Sequence, residues 1–96
     1  MSRQELENTI VSHLLQFNPI KVGIFGSYAR FEEKADSDLD LLVNFKFPLS
    51  LIELIHIENS LSKKIGIKVD LVTENSIQNS KLKGYINKDL QVIYNA

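Results

Sequence analysis

The 96-residue chain has no cysteine and no tryptophan, one methionine, two prolines and four glycines. Without cysteine, disulfides and thiolate-held metals are excluded, and a reducing compartment, the cytoplasm, is the expected setting. Charge of one sign is missing as well: 11 Lys and Arg stand against 12 Asp and Glu, a net of −1. That balance argues against a general electrostatic grip on nucleic acid, and no direct nucleic-acid binding is expected. No apolar run is long enough to span a membrane. The start, Met1-Ser2-Arg3-Gln4-Glu5, has no apolar stretch behind it and does not read as a secretory signal. What remains is ordinary for a globular chain: 44% hydrophobic and 24% charged residues exclude disorder and fibrous folds. A chain this short builds one core, so residues 1–96 are expected to form a single domain. Such a domain holds one active site but cannot wrap a large substrate. An enzyme of this size is therefore expected to borrow surface from a partner.

Local signals order the chain. Ser2 and Glu5 have capping-box spacing, and Leu6, Ile10, Leu14 and Phe17 recur on one helical face. Asn18-Pro19 should end that helix, because the residue before proline avoids helical geometry. Residues 20–25 read as a buried strand in which Gly23 implies close approach by another backbone. Gly26-Ser27 is a turn, and residues 28–33 suit one or two helical turns. A second strand is expected over 38–45, with Leu39, Leu41, Val43 and Phe45 on one face and Asp38, Asp40, Leu42 and Asn44 on the other. Ser50 and Glu53 form another capping box, stapled by Leu49 and Leu54, and this helix should stop at Gly66. Residues 67–72 read as a third strand. Asn75 and Gln78 resemble a cap before a weaker helix to about residue 88, interrupted by Gly84. Residues 90–94 suit an edge strand. The alternation gives an α/β or α+β domain, a small sheet covered by helices.

Acids stand where the strand pattern expects apolar residues. Asp38 and Asp40, two apart, leave the same face of a strand, roughly 6.5–7 Å apart at the backbone. Asp70 interrupts Ile67-Lys68-Val69-Asp70-Leu71-Val72. If the two strands are neighbours, three carboxylates meet, and their repulsion calls for a cation. Oxygen donors with no His or Cys nearby suit Mg²⁺, with Mn²⁺ as a second candidate. Upstream, Gly26-Ser27 joins a strand to a short helix, where backbone N–H groups and a hydroxyl can take a phosphate. Together these point to a metal-bound nucleoside triphosphate.

Each residue also has a plainer reading. Ser27 alone reads as a helix N-cap, and Asp38 alone as a turn residue at a strand start. Asp40 and Asp70 need partners inside a strand, and a salt bridge to Lys68 or Arg30 is the structural alternative. His13 and His56 read as surface or packing residues. Tyr28, Phe31 and Tyr85 read as packing, and Lys81, Lys83 and Lys88 as a solvated helix face.

Read as a unit, Gly26-Ser27-Tyr28-Ala29-Arg30, Ser37-Asp38-Leu39-Asp40-Leu41-Leu42-Val43 and Val69-Asp70-Leu71-Val72 resemble the nucleotidyltransferase superfamily related to DNA polymerase β. The short length and the ending Asp89-Leu90-Gln91-Val92-Ile93-Tyr94 resemble its minimal members, the MNT antitoxins paired with HEPN-domain toxins. The resemblance implies the nucleotidyltransferase fold, a small mixed sheet covered by helices. It implies that Asp38 and Asp40 hold two metal ions on the triphosphate of ATP. Asp70 would complete the second metal site and help deprotonate an acceptor hydroxyl. Gly26 and Ser27 would hold phosphates, and Arg30 either pairs with phosphate or braces the loop. Family members commonly have glycine after Ala-Arg where this chain has Phe31, which implies a shifted turn or a partner-facing ring. The implied reaction is transfer of AMP from ATP to a tyrosine hydroxyl of a HEPN toxin, with release of pyrophosphate, possible within an oligomer of the pair. Two other readings compete: a catalytically weak or inactive domain that neutralises its partner by binding alone, and a small-molecule nucleotidyltransferase whose acceptor site lies on another subunit.

Overall fold

A computed structural model describes residues 1–96. The first helix, α1 (Arg3–Leu14), starts at the expected capping box, with the Ser2 hydroxyl and the Glu5 carboxylate each accepting from the other's backbone N–H. Its α-helical part stops at Leu14, and Leu15–Phe17 tighten into a 3-10 turn before Asn18 turns left-handed. Strand β1 (Pro19–Phe25) follows, then a 3-10 turn, Gly26–Tyr28, and a loop to β2 (Leu39–Phe45). The crossover helix α2 (Leu51–Ile65) has the second capping box, Ser50 with Glu53, and a left-handed Gly66 at its C-terminus. It leads into β3 (Val69–Thr73), which starts two residues later than the apolar pattern predicted. The last helix, α3 (Ser80–Asp89), is capped by Asn79, whose side chain accepts from the Lys81 and Leu82 N–H groups. Asn75 is instead part of a separate 3-10 turn, Glu74–Ser76. The chain ends in the edge strand β4 (Gln91–Asn95).

The four strands lie in the order β3-β2-β1-β4. β1 runs antiparallel to both its neighbours, and β2 and β3 run parallel, joined by the α2 crossover. The sheet is therefore mixed, as expected.

The apolar face set out by the alternation is the core. Val22 and Ile24 pair across from Val43 and Leu41. With Leu39 and Phe45 they meet Leu6, Ile10 and Leu14 of α1 and Ile57, Leu61 and Ile65 of α2 in one buried cluster. The opposite face carries Gly23 in register with Leu42, and Phe25 in register with Asp40, across β1 and β2. Here α3 packs. A Cβ on Gly23 would strike the Leu90 side chain and come within 3.4 Å of the Gln91 carbonyl oxygen, which accounts for the glycine. The outer edge of β3 is closed by α2: Ser62 Oγ accepts from Val69 N–H at 2.9 Å and Glu58 Oε2 from Leu71 N–H at 2.7 Å. Donors that an edge strand would leave open are thereby occupied.

Candidate active site

Asp40 is the second residue of β2 and Asp70 the second of β3, and the parallel register pairs them directly. Side chains at paired positions of neighbouring strands project from the same face, so both acids leave the α3 face together. Asp38 precedes β2 and has a loose ion pair, 3.8 Å, with the exposed Lys68. Neither Lys68 nor Arg30 makes a salt bridge with Asp40 or Asp70, so the structural alternative for these two acids is not realised. Asp40 is half-buried and Asp70 exposed. The strand interior suggested greater burial for Asp70, but β3 lies at the sheet's edge.

Burial, reinforced by the charges of Asp70 and Asp38, pushes the Asp40 carboxyl above its ordinary value, and Arg30 partly offsets the rise. The three side chains do not converge as a ready-made metal cluster; like charges settle apart. The donor set nonetheless fits a hard divalent cation. It is all carboxylate, and a dication would relieve the electrostatic penalty on Asp40.

The turn at Gly26–Tyr28 stands against these acids. Gly26 follows Phe25, which pairs with Asp40, and has φ +74°; a Cβ there would collide with Asp40 Oδ2. Glycine is required on two counts, a left-handed backbone and contact with the carboxylate. Ser27 lies inside the turn rather than capping it, and its side chain makes no cap hydrogen bond. The N-cap reading of Ser27 therefore falls away; its side chain is half-buried. The residues after it bend back through Arg30 N–H to Gly26 O at 3.2 Å and Glu32 N–H to Ser27 O at 2.9 Å. Phe31 takes φ +57°, a left-handed backbone that glycine adopts without a Cβ penalty. Its ring is exposed and lies under the Arg3 guanidinium, 4.4 Å from carbon to centroid.

Side chains distant in sequence hold this loop. Arg3 Nη1 donates to the Tyr28 carbonyl at 2.7 Å and Gln91 Nε2 to the Ala29 carbonyl at 3.0 Å. Arg30 pairs with Asp89 at 2.8 Å and Glu32 at 3.3 Å. Of the two roles open to Arg30, it is seen in the bracing one. Arg3, Asp89 and Gln91 are not among the site residues expected from the sequence, and contacts between residues this far apart carry no local signal. The sizeable clefts, about 260 to 380 Å³ each, are lined by none of Gly26, Ser27, Asp38, Asp40 and Asp70. The acids lie outside these clefts.

A nucleotidyltransferase-domain family model matches residues 7–93. Protein adenylyltransferase MntA of Thermococcus cleftensis is 34% identical over 98 residues, covering 98% of this chain and 96% of MntA. Among solved structures, a toxin–antitoxin complex with AMP-PNP contains a chain of the same fold, with TM-score 0.85 and 23% identity over 94% of this chain and 73% of that one. A complex of a tri-AMPylated Shewanella oneidensis HEPN toxin with its MNT antitoxin gives TM-score 0.81 and 22% identity over 99% and 74% of the two chains. With a family match across most of its length and a relative aligned nearly end to end, this chain belongs to the nucleotidyltransferase-domain family, among its minimal, MNT-type members.

Proposed function

We propose that this chain is an antitoxin that transfers AMP from ATP to a tyrosine hydroxyl of a small helical HEPN-type toxin and thereby silences it. The observation that carries the reading is the register of Asp40 with Asp70 beside the Gly26–Tyr28 turn, in a chain aligned nearly end to end with a protein adenylyltransferase. The toxin–antitoxin neighbours supply the class of acceptor. The open surface around the acids fits an acceptor that brings its own walls. We place its action in the cytoplasm, as a single minimal domain.

Gly26 and Ser27 take the β- and γ-phosphates, the hydroxyl of Ser27 donating. Asp38 and Asp40 would hold two Mg²⁺ ions on the triphosphate, with Asp70 completing the second site. Bound there, the ions would neutralise charge on the phosphates and align them. Asp70, the exposed acid, receives the proton of the acceptor hydroxyl. The acceptor oxygen forms its bond to the α-phosphorus, the bond from that phosphorus to the bridging oxygen breaks, and pyrophosphate leaves. The tyrosine phenol becomes a phosphodiester to adenosine, bulky and negatively charged.

Labelled ATP with the co-expressed toxin tests this. Mg²⁺-dependent labelling of the toxin, lost in Asp40→Ala, is expected. Absence of adenylylated toxin by mass spectrometry, with metal present and the antitoxin folded, refutes it. If Asp38→Asn with Asp40→Asn still protects cells, neutralisation proceeds by binding alone.

A further inference from the structure

The segment Asp89-Leu90-Gln91 joins α3 to β4; Asp89 and Gln91 hold the loop that follows the Gly26 turn, and Leu90 packs on β1. Asp89 Oδ2 accepts from Arg30 Nη1 at 2.8 Å. Leu90 fills the space over Gly23 on β1. Gln91 Nε2 donates to the Ala29 carbonyl at 3.0 Å, and its Oε1 lies 3.5 Å from Arg3 Nη2. Arg3 in turn donates to the Tyr28 carbonyl. Residues 28, 29 and 30 are thus each held by a different side chain from the two ends of the protein.

Asp89 is the least expected of these. It closes α3, where the last carbonyls already concentrate negative charge, and an acid there is disfavoured. Helix stability does not explain its presence. The Arg30 guanidinium does, since it is drawn to both the carboxylate and the helix end. Arg30 follows the Gly26 turn by four residues and its charge reaches Asp40. Without Asp89 and held only by the exposed Glu32, at 3.3 Å on the same loop, this long side chain would sample more rotamers.

We propose that Asp89 is a positioning residue for the nucleotide: by pairing with Arg30 it keeps the loop 26–31 in the one arrangement that accepts the triphosphate. This rests on the function proposed above. Asp89 touches no nucleotide and acts through Arg30. Without it the loop spends part of its time in other arrangements, and apparent affinity falls by the fraction of time in the competent one. Once nucleotide is bound, the same loop is in place and transfer proceeds at its usual rate.

The test compares wild type, Asp89→Ala, Asp89→Glu, Arg30→Ala and the Asp89→Ala/Arg30→Ala double variant. Mg²⁺·ATP binding is measured by calorimetry, and AMP transfer to the toxin at varied ATP. For Asp89→Ala the expected result is a rise of about two- to fivefold in Kd and KM for ATP, the most that losing an exposed ion pair allows, with kcat nearly unchanged. Asp89→Glu should recover most of the affinity. In the Arg30→Ala background the Asp89 substitution should add nothing, because its only route is gone. The melting temperature should move little, as an exposed ion pair contributes little stability. A folded Asp89→Ala with wild-type Kd overturns the inference, as do effects that add fully with those of Arg30→Ala. Wild-type protein that binds Mg²⁺·ATP but transfers no AMP refutes the function above and leaves the binding comparison to decide on Asp89; wild-type protein that does not bind it refutes both.

Discussion

Two glycines in this chain form a matched pair. Gly26 has φ +74° and Gly66 has φ +72°, so replacing either by alanine puts a Cβ into the left-handed region. That penalty is on the order of 1–2 kcal/mol. For a domain of this size each kcal/mol lowers the melting temperature by about 4–8 °C. At Gly66 nothing lies within 4 Å of the new methyl, so Gly66→Ala carries the backbone penalty alone. At Gly26 the methyl meets the Asp40 carboxylate. The carboxylate can swing away, which keeps the added stability loss small, but it leaves its place beside the Gly26 turn. A displacement of about 1 Å in a reacting arrangement lowers the rate by roughly 10²-fold. The two variants should therefore melt within a few degrees of each other. Transfer should fall about a hundredfold in Gly26→Ala and hardly at all in Gly66→Ala. The assay is AMP incorporation into the toxin at saturating Mg²⁺·ATP, at a temperature where circular dichroism shows both variants folded. Equal activity in the two variants would refute the reasoning. So would a loss in Gly66→Ala as large as in Gly26→Ala, which would mean that backbone strain alone is sensed at the site.

Asp40→Asn should abolish transfer and raise the melting temperature, because the charged carboxyl is penalised by burial and by Asp70 and Asp38. An acid whose folded pKa is raised destabilises most above that value and is relieved as pH falls through it towards 3.8, its ordinary value; the stability gain of Asp40→Asn should accordingly be largest at neutral pH and vanish in acid melts. His13 shares a 2.9 Å hydrogen bond with Ser60 Oγ, and burial together with Lys64 lowers its pKa. Its contribution to stability is complete above 6.5, the ordinary value, and is lost as pH drops through the folded value; His13→Gln should flatten that part of the melting-temperature profile. Glu58→Ala should free the Leu71 N–H, lower stability by about 1–2 kcal/mol and speed hydrogen exchange at that amide, whereas unchanged exchange would mean that α2 does not pin β3. Phe31→Gly removes about 1 kcal/mol of left-handed strain and also a contact with Arg3 of about 0.5–1 kcal/mol, so stability and AMP transfer should both stay near wild type.

The legible parts of this chain are those with short-range periodicity. Both capping boxes and both faces of β2 follow from spacings of two to four residues, and the structure has them. Asp40 and Asp70 stood out as acids inside strands that are otherwise largely apolar. Their direct pairing needed one assumption, that the two strands are parallel neighbours, and the 15-residue helix between them makes that the natural connection. Other features leave no local trace. Asn75 and Asn79 are both suitable N-caps within five residues, and what selects Asn79 is the 3-10 turn at Glu74–Ser76 that uses up the first. The exposure of Asp70 follows from the sheet order, which puts β3 at the edge. The grips of Arg3, Asp89 and Gln91 on the loop span 25 to 62 residues, and single polar side chains carry no period by which such contacts can be found.

The parallel pairing of β2 with β3 also decides which changes of chain length the protein can absorb. Strand side chains alternate, so one residue inserted between Gly66 and Val69 would turn position 70 to the core face and bring a neighbour into its place. One residue gained in the loop 32–37 would merely lengthen an exposed bend between two strands whose pairing is fixed elsewhere. Random insertion scanning should therefore tolerate that bend and find Ile67 and Lys68, the two residues between Gly66 and β3, intolerant, although neither is a candidate site residue.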